Sequence, residues 1–568
     1  MTHPLFAKHE DTLKHALAAI ETRGYWSPFA EMPSPKVYGE SANADGEAAF
    51  KAHLDKPFPI DQPATGEMIS AEQSPYGFAL GVRYPKSSPD ALIAAAADAQ
   101  AAWRAAGPTA WVGVALEILA RLNRASFEIA FSVMHTTGQA FMMAFQAGGP
   151  HAQDRALEAV TYAWDALRRI PADAHWEKPQ GKNPPLAMHK RYTIAPRGTG
   201  LVLGCCTFPT WNGYPGLFAD LATGNTVIVK PHPGAILPLA ITVKIARDVL
   251  LEAGFDPNVV TLLATEPNDG ALVQDLALRP AIKLIDFTGS TQNGTWLERN
   301  AHQAQVYTEK AGVNQIVIDS VDDLKAAVKN IAFSLALYSG QMCTAPQNIY
   351  VPRDGIRTAE GQVSFDDVAQ AIAGAVQKLT GDPARSVELI GAIQNEGVVA
   401  RIVAARQLGR VLADSVQLEH PTFAGARVHT PLVLQLDATD HAKFTQEWFG
   451  PISFVIATDS TRQSLDLAGA IAEEHGALTL SVYSTDAAVI DAAHDAAVRG
   501  GVALSINLTG GVFVNQSAAF SDFHGTGANP AANAALADAA FVANRFRVVQ
   551  SRVHVAPKAA PQEVGQTA

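Results

Sequence analysis

The sequence predicts an α/β protein built on doubly wound, mainly parallel sheets, and three observations predict it. Short apolar runs of strand length recur from residue 199 onward. Helical patterns fill the gaps between them, so strand and helix alternate as parallel crossover connections require. The chain of 568 residues is also too long for one core, which implies two or three structural units.

The elements follow in order. Residues 90–106 and 111–134 carry amphipathic patterns with few breakers and read as long helices, and 151–169 read as a third. A Pro/Lys/polar stretch from 171 to 190 interrupts that pattern and predicts a projecting hairpin or an excursion between domains. Strand-like runs then stand at 201–205, 226–230, 259–263 and 282–287, with helical segments near 236–253, 268–277 and 292–302. Sheets of this kind bind ligands outside the carboxyl ends of their strands. A second alternating region starts at Asn314 and runs to about residue 530, which predicts a second α/β unit. The tail from Asn544 alternates in strand fashion and is expected to pair with another chain.

Composition narrows the function. With 48% apolar and 17% charged residues and a formal charge of −12, the chain is globular and a poor match for nucleic acid, so it points to small-molecule work. Three cysteines indicate a reducing compartment, and no run reaches the length of a membrane span, so a cytoplasmic, non-membrane protein is expected. No metal is expected.

The chemistry concentrates in a few segments. Cys343 follows Gly340-Gln341-Met342, and Glu309 stands 34 residues upstream in Thr308-Glu309-Lys310-Ala311-Gly312. Most lone cysteines are buried small hydrophobes and most lone glutamates are solvated. A thiol among small and polar residues can nevertheless attack a carbonyl, and a carboxylate from another loop can activate the water that releases the product. Phe287-Thr288-Gly289-Ser290-Thr291 with Gly294 forms a turn suited to a pyrophosphate near a helix N-terminus. Gly224-Asn225-Thr226 leads through a strand to Lys230-Pro231, and Glu447-Trp448-Phe449-Gly450-Pro451 forms a further turn.

In this order and spacing, these segments resemble the aldehyde dehydrogenase superfamily across roughly residues 60–555. The resemblance implies an aldehyde dehydrogenase-like fold: a cofactor domain from 1–170 and 198–308, a catalytic domain from 309–530, and a small oligomerisation sheet from 171–197 and 531–568. A homodimer or homotetramer is implied. Cys343 would be the nucleophile, forming a thiohemiacetal and then a thioester, and Glu309 the general base for hydrolysis. Lys230 would hydrogen-bond the adenosine ribose, Gly289 and Ser290 would take the pyrophosphate, and Glu447 with Phe449 would hold the nicotinamide ribose. Lys310 and Val313 depart from the family's pattern around the glutamate.

Where NAD-preferring members usually place a glutamate, this chain has Pro233, preceded by His232. Loss of that acid removes repulsion toward a 2′-phosphate and His232 could pair with it, so NADP is favoured over NAD. The family's oxyanion asparagine stands 23 residues before the cofactor lysine, and that count falls on Thr207. Thr207 is therefore the expected donor beside the backbone N–H of Cys343, with Asn212 as the fallback. Cys205 and Cys206 adjoin this hole, and strand alternation lets at most one of them face it. Phe513, Phe520 and Phe523 divide evenly between substrate contact and core packing.

Within the superfamily, Cys205-Cys206-Thr207-Phe208-Pro209-Thr210-Trp211-Asn212 and the segment around Cys343 resemble the PaaN group of phenylacetic acid degradation proteins. That resemblance implies a coenzyme A-linked semialdehyde as the small-molecule substrate. Two other readings stand beside hydrolytic oxidation: acyl transfer to coenzyme A, and a catalytically weak cofactor-binding scaffold. Retention of Glu309 weighs against the first, and the intact Cys343, Glu309, Lys230 and Glu447 set against the second.

Overall fold

The structure is a computed structural model that describes residues 2–555. A five-stranded parallel sheet runs in the spatial order Gln305–Glu309, Ile282–Thr288, Thr199–Leu203, Thr226–Lys230, Val260–Leu262. The strand order reverses between Thr199–Leu203 and Ile282–Thr288, and a crevice opens at the carboxyl ends of strands around such a switch point. Buried β-branched and aliphatic side chains fill these strands, as a sheet covered on both faces requires. Helices Pro209–Ala222 and Leu237–Glu252 cover one face.

A seven-stranded sheet forms the second unit, in the order Arg410–Ala413, Leu432–Asp437, Ile452–Thr458, Pro346–Pro352, Asn314–Ile318, Thr479–Tyr483, Ala503–Ile506. Its pairings are parallel except for the edge strand Arg410–Ala413. The α/β fold with two such sheets is what the strand spacing predicts.

Several elements differ from expectation. The helix predicted at 111–134 is two helices, Pro108–Arg124 and Ser126–Thr137, meeting at Ala125; no Gly or Pro marks the break. Helices Glu10–Thr22 and Ala42–His53 were not anticipated, and they lay Leu13, Ala16 and Phe50 against the first core. The tail strand Phe546–Val555 pairs with Asn183–Pro196 of its own chain and stands at the edge of that sheet. Together with Asp173–Gln180 these strands make a projecting three-stranded sheet. The part of the expected oligomerisation segment at 556–568 lies outside the described residues.

The chain also changes unit where the spacing gave no sign. Glu309 is the last residue of the first sheet, not the start of the second. Phe520, Leu536 and Phe541 return to the first core, and Asn533 Oδ1 accepts from the Thr308 N–H at 2.7 Å. That return places the 517–536 loop over the ends of the first sheet. No helix among the described residues is long and apolar enough to cross a membrane.

Candidate active site

A cavity of about 800 Å³ lies at the carboxyl ends of the first sheet. Leu203 through Cys206, Lys230 with His232 through Gly234, and Phe287 through Ser290 line it, each group at the end of a strand of that sheet. The second unit closes the opposite wall with Gln394, Asn395, Glu396 and Arg427, which the sequence reading missed. Ser290 caps helix Thr291–Asn300, its side chain accepting from the Asn293 N–H, so free N–H groups of the first turn point toward the cavity end. Lys230 ends its strand here, and burial lowers its ammonium to about 8, against the pull of Asp269. Among the described residues that ammonium has no hydrogen-bonded partner, and an uncompensated donor beside a helix N-terminus suits a dinucleotide.

His232 lines the same cavity, but its Nδ1 accepts from the Gly234 N–H at 3.1 Å. Burial, then the charge of Lys230, lowers it to about 4, so it is neutral near pH 7. In that form it brings no positive charge to the cavity. Glu447 and Phe449 do not line this cavity. Burial raises Glu447 to about 7, while the Gly312 N–H and Arg401 act against that rise. The Gly312 bond ties this turn to the segment that follows Glu309. Phe449 packs against the second core.

Cys343 sits on a strained turn after helix Leu324–Ala336. Tyr338, Ser339 and Gly340 take φ values of 50°, 51° and 60° in succession. Left-handed backbone at two non-glycine residues costs energy, and buried bonds hold it: Tyr338 Oη donates to Thr137 O at 2.6 Å and Ser339 Oγ to Ile390 O at 2.9 Å. A Cβ on Gly340 would stand 2.5 Å from Gly450 O, so only glycine fits. Asn314 Nδ2 then fixes the loop by donating to Cys343 O at 2.7 Å.

Glu309 is 3% exposed and meets Cys343 here, with His524 between them. The Cys343 Sγ, a Glu309 oxygen and a His524 ring nitrogen all lie within 4.8 Å of one another. Burial opposes ionisation of Glu309, but His524, a hydrogen bond from Cys343 and the charge of Arg155 overcome it and hold the carboxyl below its ordinary value. The result is a carboxylate, made a weaker base by the same neighbours that keep it ionised. The Cys343 thiol goes the other way: burial, then Glu309, raises it well above the ordinary range.

The two oxyanion candidates differ in what they touch. Thr207 turns its hydroxyl to Cys205, and its carbonyl accepts from Gln139 Nε2 at 2.8 Å. Asn212, one turn into helix Pro209–Ala222, instead donates from Nδ2 to Glu309 Oε2 at 3.1 Å. Counting back from Lys230 located the loop and missed the inward face of the helix that follows it. Strand alternation also fails for Cys205 and Cys206, because the strand ends at Leu203 and both cysteines line the cavity. His524 escaped the sequence reading, since it lies in a loop whose neighbours Phe520 and Phe523 drew attention. Phe520 is fully buried core, and Phe523 is exposed under the Arg23 guanidinium.

Comparison with known proteins shows the family. The aldehyde dehydrogenase family model matches residues 82–528. The chain belongs to the aldehyde dehydrogenase family. It is 88% identical to an NAD-dependent aldehyde dehydrogenase from Burkholderia multivorans, with a TM-score of 0.97, over 98% of this chain and 100% of the other. It is 26% identical to a vanillin dehydrogenase of Pseudomonas fluorescens over 78% of this chain and 84% of that protein. It is 32% identical to the N-succinylglutamate 5-semialdehyde dehydrogenase of Paraburkholderia xenovorans (strain LB400). That match spans 48% of this chain and only 54% of the relative. This aldehyde dehydrogenase family member brings Cys343 and Glu309 together within 4.8 Å at the end of the first sheet.

Proposed function

We propose that this protein oxidises an aldehyde to the carboxylic acid with a nicotinamide dinucleotide. The observation that carries the reading is the meeting, within 4.8 Å, of Glu309 from the end of the first sheet and Cys343 from the turn before a strand of the second. Cys343 attacks the aldehyde carbon and holds the thiohemiacetal. Asn212 stands where its amide can donate to the developing oxyanion, and the Cys343 backbone N–H is the second donor. The bound dinucleotide supplies the hydride acceptor. Glu309 then takes a proton from the water that cleaves the thioester.

Lys230, His232, Gly289 and Ser290 hold the dinucleotide in this reading, with Glu447 and Phe449 at its nicotinamide end. NAD becomes the working cofactor and NADP the competitor. A neutral His232 adds no charge for a 2′-phosphate, and the relative at 88% identity is described as NAD-dependent. Pro233 still leaves room for NADP. The substrate we propose is a semialdehyde of aerobic phenylacetate breakdown, joined to coenzyme A. The motifs around Thr207 and Cys343 support it, and relatives described as semialdehyde and vanillin dehydrogenases support the broader aldehyde class. A cytoplasmic homodimer or homotetramer belongs to the same reading.

The test is NADH and NADPH formation by the purified protein with an aldehyde panel that includes a coenzyme A-linked semialdehyde. Cofactor reduction that vanishes in Cys343→Ala supports the reading. Binding of either cofactor without any reduction across the panel overturns the substrate assignment.

A further inference from the structure

We infer that His524 is a catalytic residue that takes the proton from the Cys343 thiol. Its Nε2 lies 3.7 Å from Cys343 Sγ and 3.2 Å from Glu309 Oε1, and the side chain is only 4% exposed. Burying it against a nucleophile and a carboxylate is costly unless the three groups share a proton.

The chemistry explains the placement. A thiolate, not a thiol, attacks a carbonyl carbon. Burial and the Glu309 carboxylate both oppose thiolate formation at Cys343, so the site needs a proton acceptor within reach. In the step inferred, His524 enters neutral with its proton on Nδ1; the S–H bond breaks, an N–H bond forms at Nε2, and that new N–H donates to Glu309 Oε1, 3.2 Å away. The sulfur lone pair attacks the aldehyde carbon, and the carbonyl π pair moves to oxygen. Glu309 then faces an imidazolium and stabilises it.

Packing holds the ring in place. Trp211 meets the imidazole edge-on with ring centroids 4.5 Å apart. Leu536 N donates to His524 O at 2.9 Å. Arg155 lies over the far side of Trp211 and anchors the loop, donating to Asp522 O and Leu536 O at 3.0 and 3.1 Å. The charged or titratable groups around the ring are therefore Cys343 and Glu309 in contact and Arg155 beyond the indole. Cys205 and Glu447 add to the rise at the Cys343 thiol.

The inference rests on Cys343 as the nucleophile, so its test reads the thiol without any aldehyde. Iodoacetamide alkylation of Cys343, with the labelled peptide identified, is followed from pH 6 to 11 in the wild type, His524→Gln and Glu309→Gln. Loss of an imidazolium partner raises the thiol's apparent pKa, so His524→Gln slows alkylation at pH 7 by at least about ten-fold, the equivalent of one pKa unit. Alkylation recovers above pH 10, which a misfolded site would not show, and added imidazole restores it in His524→Gly. An unchanged profile in His524→Gln, with slowing confined to Glu309→Gln, overturns the inference and makes the carboxylate the proton acceptor. Failure of aldehyde turnover would leave this measurement intact.

Discussion

Asn212 donates from Nδ2 to Oε2 of Glu309 at 3.1 Å, joining the first turn of a helix to the last residue of a strand. That bond aims the carboxylate and puts a side-chain amide on the group that meets the thiol. Asn212→Ala is expected to lower kcat by about 10²–10³, the cost of losing one oxyanion donor. Thr207→Ala, whose hydroxyl faces Cys205, is expected to stay near wild type. Steady-state kinetics on both variants checks the assignment, and the reverse ranking would return the donor role to Thr207.

Glu309→Gln keeps the bulk of the side chain and removes the proton acceptor. Hydride transfer proceeds once per site, and thioester hydrolysis then stalls, with turnover lowered by about 10²–10⁴. Rapid mixing is expected to show a stoichiometric burst of reduced cofactor followed by a nearly flat line. A full steady-state rate would remove Glu309 from hydrolysis.

Cys343→Ala abolishes turnover and leaves cofactor affinity essentially unchanged, because the cavity is lined by other residues. Fluorescence titration with NADH measures the second half of that expectation. Retained turnover would rule out the nucleophile.

Much of this site was legible because short motifs fix local chemistry. The glycine turn at Gly289, the strand end at Lys230 and the sharp turn before Cys343 each have a backbone reason to look as they do. The rest was not legible because it depends on long-range return of the chain. His524 reaches the thiol only because residues 517–536 fold back over the first sheet, held by a fully buried Arg155. Asn212 faces inward through helix phase, which a count along the sequence does not see. The N-terminal helices were missed because their few apolar positions carry meaning only against a core already built.

Arg545 makes a stability prediction. Its buried guanidinium donates to both oxygens of Asp286 at 2.6 and 2.8 Å and to Asp220 at 2.7 Å. It joins the root of the tail strand to the first sheet. Arg545→Met leaves two buried carboxyls without their cation, a loss of about 3–5 kcal/mol for a broken buried pair. Denaturant unfolding is expected to show that drop. A change under about 1 kcal/mol would mean that the carboxyls protonate and repack.

Glu447 gives the last prediction, through pH. Burial raises its folded pKa to about 7, above the ordinary carboxyl value. A raised carboxyl pKa contributes stability that is fully present below the unfolded value and is lost as pH rises through about 7. Across the same interval the carboxyl becomes the carboxylate that accepts the ribose hydroxyls in the proposed role. Cofactor affinity should therefore strengthen as pH rises through 7, while the melting temperature of the free protein declines. Glu447→Gln should remove both trends, since an amide does not titrate. Dissociation constants for NADH from pH 5.5 to 8.5, with melting curves of the same samples, test the pair. An affinity step that survives in Glu447→Gln would assign it to another group, and with it would go the ribose role.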